Sequence, residues 1–196
     1  QDKSAASELA LLASKSPSPV ARMHALHVLA GLNVLTEEML LPRLNDEHPR
    51  VREHAVLLSE KLLESAAIRS KLVELAGDPE LRVRYQVAFS LGELPTSIQR
   101  NRALAEIAKR DAADGYVRIA VLSSLGEGAG EVLSLLLSDP EYRANRAAQE
   151  MLSSLATQIG KQQRAEDVAE TLKSLTVLAK GNSPLLPVIV QKLAAK

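Results

Sequence analysis

Small and apolar residues recur along the chain at the spacing of a single helix face, and short turns interrupt them. In the helix that begins at Val83, the first residue and those 4, 7, 8 and 11 positions later are small or apolar. These residues are Val83, Val87, Ser90, Leu91 and Leu94. Because successive residues of an α-helix are rotated by about 100°, these positions lie on one side of the helix. The pattern predicts a series of amphipathic helices.

An internal repeat organises the predicted helices. Four segments align without gaps, each with arginine as its second residue and alanine or valine as its fifth. The arginines are Arg22, Arg52, Arg84 and Arg118, at intervals of 30, 32 and 34 residues. A degraded fifth copy begins at Arg143. Such intervals are typical of a repeat made of two helices.

A turn that contains aspartate or proline precedes each copy. Aspartate caps helices and proline cannot continue one, so each turn separates the first helix of a repeat from the second. We expect the first helices at about 4–15, 36–45, 66–77, 98–110, 129–138 and 163–180. We expect the second helices at about 20–32, 50–65, 81–94, 116–126, 143–159 and 184–195.

Stacking is needed to bury these helix faces, because an isolated helix pair leaves its apolar side exposed. The repeats therefore predict an all-α fold, a right-handed α-α superhelix of about six helix pairs. We expect a single domain over 1–196, with repeats at about 4–32, 36–65, 66–96, 98–128, 129–160 and 163–196.

The two ends of the chain predict a fragment of a longer protein. The chain begins with Gln1 and shows no apolar signal core there. The last segment, Pro184–Val190, is nearly all apolar and would cap a solenoid poorly. We expect the native protein to continue past Lys196, or this end to pack on another molecule.

The motif within the repeats resembles that of a known family. In two copies, Val83–Leu94 and Val117–Gly126, a turn with aspartate or proline is followed by Val-Arg, by valine at plus four, and by Leu-Gly. This pattern resembles the HEAT-like repeats related to phycobilin lyases. The four copies taken in order also resemble the helical segment of large exported bacterial proteins. In those proteins the segment joins a β-propeller like that of sugar dehydrogenases to a C-terminal cytochrome c domain.

The second resemblance covers about residues 20–180. It implies a linking solenoid in an exported or periplasmic protein, with any redox activity in domains outside this chain. The propeller and the CxxCH motif that attaches haem are both missing from the sequence. The implied function is that of a scaffold without a cofactor of its own.

The composition argues against several other functions. Lysine plus arginine and aspartate plus glutamate number 24 each, so the basic excess typical of nucleic-acid binders is missing. No segment reaches the roughly 18 apolar residues of a membrane span. The absence of cysteine excludes disulfides, thiolate metal sites and cysteine nucleophiles within this chain. We expect a protein or a neighbouring domain as partner, with no nucleic acid and no membrane insertion.

The four repeated arginines, Arg22, Arg52, Arg84 and Arg118, have two possible roles. As a basic ladder they would bind an anionic ligand. The alternative is structural, because each follows a turn by a few residues, so that three of them can bond Asp46, Asp78, Asp114 or the carbonyls of the turns. We expect the structural role.

Three histidines raise the question of a metal site. His24 and His54 occupy equivalent positions in neighbouring repeats, and His27 lies one helical turn beyond His24. No carboxylate or thiol pattern completes a ligand set. We therefore expect solvated or hydrogen-bonded imidazoles and no bound metal.

The acidic clusters do not predict catalysis. Glu37-Glu38, Glu166-Asp167 and Glu170 lie near the starts of first helices, where carboxylates interact favourably with the helix dipole. Nothing pairs them as a general acid and base. No nucleophile elbow, phosphate loop or dinucleotide motif occurs either, so we predict no catalytic residue and no cofactor.

One face of the second helices carries larger apolar side chains than a solvated face requires. The residues 2, 6 and 9 positions after the first residue of each copy, for example after Val83, point away from the core stripe. Among them are Leu57, Tyr85, Phe89 and Ile119, which predict a protein-docking surface. We therefore expect a non-catalytic scaffold or protein-interaction module. The alternative is a HEAT-type lyase or glycosylase-like enzyme with its pocket in the same concave face.

Overall fold

The computed structural model describes residues 4–180 and 183–194 of the chain. Every regular element in these ranges is helical, and the helices form successive pairs. The pairs are α1 (Ala6–Lys15) with α2 (Pro19–Gly31), α3 (Glu37–Leu40) with α4 (Pro49–Ser59), α5 (Ala66–Glu74) with α6 (Leu81–Gly92), α7 (Ile98–Arg110) with α8 (Gly115–Ser123), α9 (Ala129–Leu137) with α10 (Pro140–Ala144) and α11 (Arg146–Gln162), and α12 (Ala165–Lys180) with α13 (Leu185–Ala194). Short 3₁₀ turns over Leu41–Asn45, Glu60–Leu62 and Leu75–Gly77 extend α3, α4 and α5. The prediction of an all-α solenoid of helix pairs is confirmed.

The chain divides into two compact units, Gln1–Leu94 and Pro95–Lys196. In the first unit the second helices of successive repeats stack, α2 against α4 and α4 against α6. Leu26, Leu29 and Leu91 are fully buried among them. The stripe that begins at Val83 is buried along its whole length, so the predicted helix face is the core face.

In the second unit the first helices stack, α7 against α9 and α9 against α12, while α11 packs against both α9 and α13. Leu104, Ile107, Leu133 and Leu136 are fully buried in this unit. Removing each of these side chains from water stabilises the folded state by about 1.5–3 kcal/mol. The core of each unit is therefore aliphatic, as the small aromatic content requires.

The fifth repeat differs from its prediction. One helix was expected at about 143–159, but the chain forms α10, breaks at Asn145, and then forms α11. Asn145 has an extended backbone, and its side-chain oxygen accepts a hydrogen bond from the Ala147 N–H at 2.9 Å. Pro140 at the start of α10 is a second helix-start signal. Two start signals within a few residues explain why this segment contains two helices.

Side-chain caps begin several of the helices. Ser18, Ser65, Ser97 and Asp114 each accept a hydrogen bond from a backbone N–H in the first turn of the helix that follows. These caps satisfy donors that have no partner inside the helix. No helix in the described ranges has the length and apolar character that crossing a bilayer requires.

Candidate functional site

Each of the four repeated arginines is the fourth residue of its helix, and its Nη1 donates to the carbonyl six residues earlier. The pairs are Arg22 with Ser16 O at 2.8 Å, Arg52 with Asp46 O at 2.8 Å, Arg84 with Asp78 O at 2.6 Å and Arg118 with Ala112 O at 2.8 Å. These carbonyls lie at or just beyond the end of the preceding helix, where the helix dipole is negative. We call this set the arginine ladder.

The same contact occurs at two positions that the repeat alignment does not single out as ladder residues. Arg69 is the fourth residue of α5 and donates to Leu63 O at 2.7 Å. Arg143 is the fourth residue of α10 and donates to Leu137 O at 2.6 Å. Arginine at the fourth position of a helix that follows a turn is the sequence signal that would have found both.

Two ladder arginines also bind the aspartate of the following turn. Arg22 binds Asp46 through Nε at 2.9 Å and Nη2 at 2.6 Å. Arg52 binds Asp78 in the same two-pronged way at 2.8 and 2.9 Å. Asp46 and Asp78 thus serve arginines of the repeat before them, whereas Asp114 caps α8 through the N–H groups of its first turn.

The bonds of Arg22 engage all three of its side-chain nitrogens, and the same is true of Arg52. Burial alone would raise the pKa of Asp46, but hydrogen bonds from Arg22 and from the His48 N–H hold that pKa below its ordinary value. Arg118 pairs instead with Glu150 on α11, at 2.9 Å. These contacts favour a structural role for the ladder over capture of an anion.

Two of the three predicted histidines meet across neighbouring repeats. His27 on α2 and His54 on α4 share a hydrogen bond of 2.9 Å between Nε2 and Nδ1, with their rings 77° apart. His24 is exposed and takes no part in this bond. In the described ranges, no cluster of three or more histidine, cysteine or carboxylate side chains is placed to hold a metal ion.

The pair favours neutral imidazoles. Burial lowers the pKa of His27, and the neighbouring His24 lowers it further. Burial likewise lowers the pKa of His54, with a contribution from His27. The Nε2 atom of His54 is buried, and no hydrogen-bond partner reaches it among the described residues. A proton added to this pair would therefore face a poorly solvated site.

Stability should fall as the solution is acidified below about pH 7. An unfolded histidine has a pKa of about 6.5, so below this pH the unfolded chain binds more protons than the folded one. The free energy of unfolding then decreases with falling pH until the lowered folded pKa values are passed. Urea unfolding between about pH 5 and 8 measures this slope. His54→Gln should flatten it strongly, whereas His24→Gln should change it only slightly, since burial and not His24 is the main cause of the lowered pKa values. An unchanged slope in His54→Gln would show that the pair carries no pH dependence.

The predicted docking residues of the first unit lie on two adjacent helices. Leu57 on α4 is exposed, and Tyr85 and Phe89 on α6 are half-buried. The two rings meet edge to face, with centroids 5.1 Å apart and planes at 90°. α4 and α6 pack against each other. We call these three residues the aromatic patch.

The fourth predicted docking residue lies in the second unit. Ile119 on α8 is exposed, and Tyr116, three residues earlier, is more exposed still. The sequence argument missed Tyr116, because it counted 2, 6 and 9 residues onward from Val117, and Tyr116 precedes Val117. Three residues is a helical i, i+3 spacing, which would have pointed to Tyr116.

Sequence comparison finds a family similarity in the middle of the chain. The model for HEAT repeats matches residues 37–126, from α3 to the turn that follows α8. This segment is similar to HEAT repeats. Repeats of this family are generally non-catalytic scaffolds that mediate protein interactions.

Two further comparisons add no functional information. Among solved structures, the crystal structure of an engineered protein from the Northeast Structural Genomics Consortium is similar at 18% identity. The similarity covers 96% of both chains with a TM-score of 0.41. No curated protein matches this chain.

Proposed function

We propose that the chain is a non-catalytic scaffold that docks a protein partner on the aromatic patch. The observation that carries this proposal is the placement of Tyr85 and Phe89. Both rings remain partly open to solvent, although the stripe on the same helix that starts at Val83 is buried. Packing within the repeat accounts for that stripe and leaves the two rings partly exposed.

The chemistry of the aromatic patch suits a protein partner. Aromatic side chains dominate the energy of many protein interfaces, since they bury a large area at a low cost in conformational entropy. The edge-to-face contact fixes the two rings against each other before any partner arrives. Preorganised rings lose little freedom on binding. Leu57 extends the apolar area onto α4.

We further propose that the partner is a domain of the same, longer polypeptide. The resemblance to exported proteins with a β-propeller and a cytochrome c domain supports this. In such a protein the chain would link two domains and contribute no redox group itself. The exposed Ile119 would add a contact in the second unit.

Replacing Tyr85 and Phe89 together by alanine should weaken partner binding by about 2 kcal/mol or more, because both contact rings are removed. Stability should fall by only about 1–2 kcal/mol, since the rings are half-buried and their mutual contact is worth about 0.5–1.5 kcal/mol. The measurements are a calorimetric titration with the domain encoded beside this segment and a urea unfolding curve. Leu81→Ala, an exposed site on the same helix, is the matched control and should leave binding unchanged.

Two outcomes would contradict the proposal. Undiminished binding by the double variant would move the contact away from the aromatic patch. A loss of about 6–10 kcal/mol in stability, the sum for two fully buried rings at about 3–5 kcal/mol each, would show that the rings belong to the core.

A further inference from the structure

A cavity of about 500 Å³ lies in the second unit, where the starts of α7, α9 and α12 come together. Five carboxylates line it, together with Thr96, Asn101 and Arg164. The carboxylates are Glu127, Glu131, Glu166, Asp167 and Glu170. We call this the acidic cavity.

Part of this acidity has a structural explanation. Glu131 lies in the first turn of α9 and accepts a hydrogen bond from Asn101 Nδ2 at 2.8 Å. Glu127 accepts from Thr96 Oγ1 at 3.1 Å and from Arg164 Nη2 at 2.6 Å. Carboxylates at helix starts also interact favourably with the helix dipoles. These contacts do not account for Asp167.

Asp167 is only 5% exposed, and its two carboxylate oxygens differ. Oδ1 accepts a hydrogen bond from the Gly130 N–H at 2.9 Å. Oδ2 is buried, and no hydrogen-bond donor reaches it among the described residues. The nearest cationic group, Nε of Arg164, is 3.8 Å away, which is an ion-pair distance but not a hydrogen bond. A buried carboxylate oxygen that accepts no hydrogen bond would be stabilised by a cationic hydrogen-bond donor.

The balance of charge in the cavity also favours a cation. Arg164 pairs with Glu127 at 2.6 Å and lies 3.8 Å from Asp167, Lys173 pairs with Glu170 at 3.1 Å on the exposed side, and Arg100 donates to the Glu127 carbonyl at 3.2 Å. The carboxylates outnumber these cations. They are not clustered as a metal site in the described ranges, so a compact divalent ion does not fit them. A donor-rich organic cation reaches several separated oxygens at once.

We propose that the acidic cavity binds an arginine or lysine side chain of a partner polypeptide. This rests on the proposed scaffold function, and it adds the chemistry of a second contact that is independent of the aromatic patch. Arg164 already shows that a guanidinium fits against Glu127 and beside Asp167. A partner's cation would donate to the exposed Glu166 and, by displacing Arg164, to the buried Asp167 Oδ2, while Asn101 and Gly130 keep the wall of the cavity in place.

The test uses the full chain and an acetylated, amidated tri-arginine peptide, titrated by calorimetry at about 50 and 150 mM salt. We expect saturable binding that weakens with salt. Asp167→Asn should reduce the affinity by about tenfold or more, since the amide oxygen keeps the Gly130 bond but the charge is lost. Glu166→Gln, at an exposed position, should reduce it by about two- to fivefold. Glu141→Gln, an exposed glutamate outside the cavity, is the control and should bind as the wild type does.

Several outcomes would overturn the inference. These are no saturable binding, equal binding by wild type and Glu166→Gln, or binding of spermine without binding of tri-arginine. If Asp167→Asn does not fold, Glu166→Gln decides the question. The Tyr85→Ala and Phe89→Ala double variant should bind the peptide normally. A failure of the aromatic patch and a failure of the acidic cavity are therefore distinguishable.

Discussion

Asp46→Ala should lower the free energy of unfolding by about 3–5 kcal/mol, because it leaves a buried arginine without its counter-charge. Arg22 and Asp46 side chains are only 5% and 2% exposed. Asp46 accepts hydrogen bonds from Arg22 at 2.6 and 2.9 Å, from Arg43 at 3.2 Å and from the His48 N–H at 3.0 Å. Alanine removes all of these at once. Urea unfolding followed by far-UV circular dichroism measures the loss.

Glu47→Ala is the matched control for Asp46→Ala. Glu47 is the next residue, lies 3.5 Å from the same arginine, and has a side chain 86% exposed. Its removal should cost less than about 1 kcal/mol, since surface ion pairs contribute little. The combination of Arg22→Met with Asp46→Leu should recover much of the loss, because it removes both charges from the interior. A loss below about 1 kcal/mol for Asp46→Ala would mean that the ladder does not hold the repeats.

Gly130→Ala should also destabilise the chain, by about 3 kcal/mol. A Cβ on Gly130 would lie 2.7 Å from Asp167 Cα and closer still to Asp167 O, both of them backbone atoms of α12. Neither atom is a flexible side-chain end, so the two helices must separate. Separation also weakens the bond from the Gly130 N–H to Asp167 Oδ1. Overpacking costs about 1–3 kcal/mol and a bond to a charged acceptor about 1.5–3 kcal/mol, offset by about 1 kcal/mol of helix propensity.

Gly31→Ala is the control that separates steric crowding by the new Cβ from the higher helix propensity of alanine. Gly31 ends α2, and a Cβ there would meet nothing within 4 Å. This substitution should be neutral or stabilise the chain by up to about 1 kcal/mol. The two variants should therefore shift the thermal midpoint in opposite directions. A shift of the same sign and size in both would show that α9 and α12 are not in such close contact.

The second helices were predictable because periodicity and start signals agree at the same residues. In α6 the buried stripe begins at Val83, shortly after the Asp78-Pro79 turn. The predicted end of this helix lies two residues beyond its observed end at Gly92. At Asn145 the signals conflict, because the apolar spacing runs across a residue that caps a new helix. Periodicity reports which face is buried, but a strong cap decides where the helix begins.

The contacts of the candidate sites depend on stacking, which the sequence does not state. The position of Arg22 in its repeat is visible from alignment, but its partner Asp46 lies 24 residues on. That pairing depends on how closely one repeat stacks on the next. His27 meets His54 for the same reason, although His24 is the aligned residue. For Tyr85 the periodicity gives the direction of the ring, and the neighbouring helix determines how much of it is covered.

The acidic cavity was the least visible feature in the sequence. Glu166 and Asp167 stand at a helix start, where the dipole alone explains them. Their approach to Glu127 follows from the packing of α9 on α12, which brings the starts of the two helices together. The glycine that permits this packing is Gly130. Gly130 therefore allows Glu127 to lie close to Glu166 and Asp167, which are far from it in the sequence.

Each of two turn aspartates bonds two arginines, so one whole repeat can be deleted from the gene without losing these bonds. Asp46 offers its carboxylate to Arg22 and its carbonyl to Arg52, and Asp78 offers the same two groups to Arg52 and Arg84. A gene that lost the codons for 47–78 would join Asp46 directly to Pro79. Asp46 would then present its carbonyl to Arg84 and keep its carboxylate for Arg22. Unequal recombination between such codons changes the number of repeats without leaving either arginine unmatched.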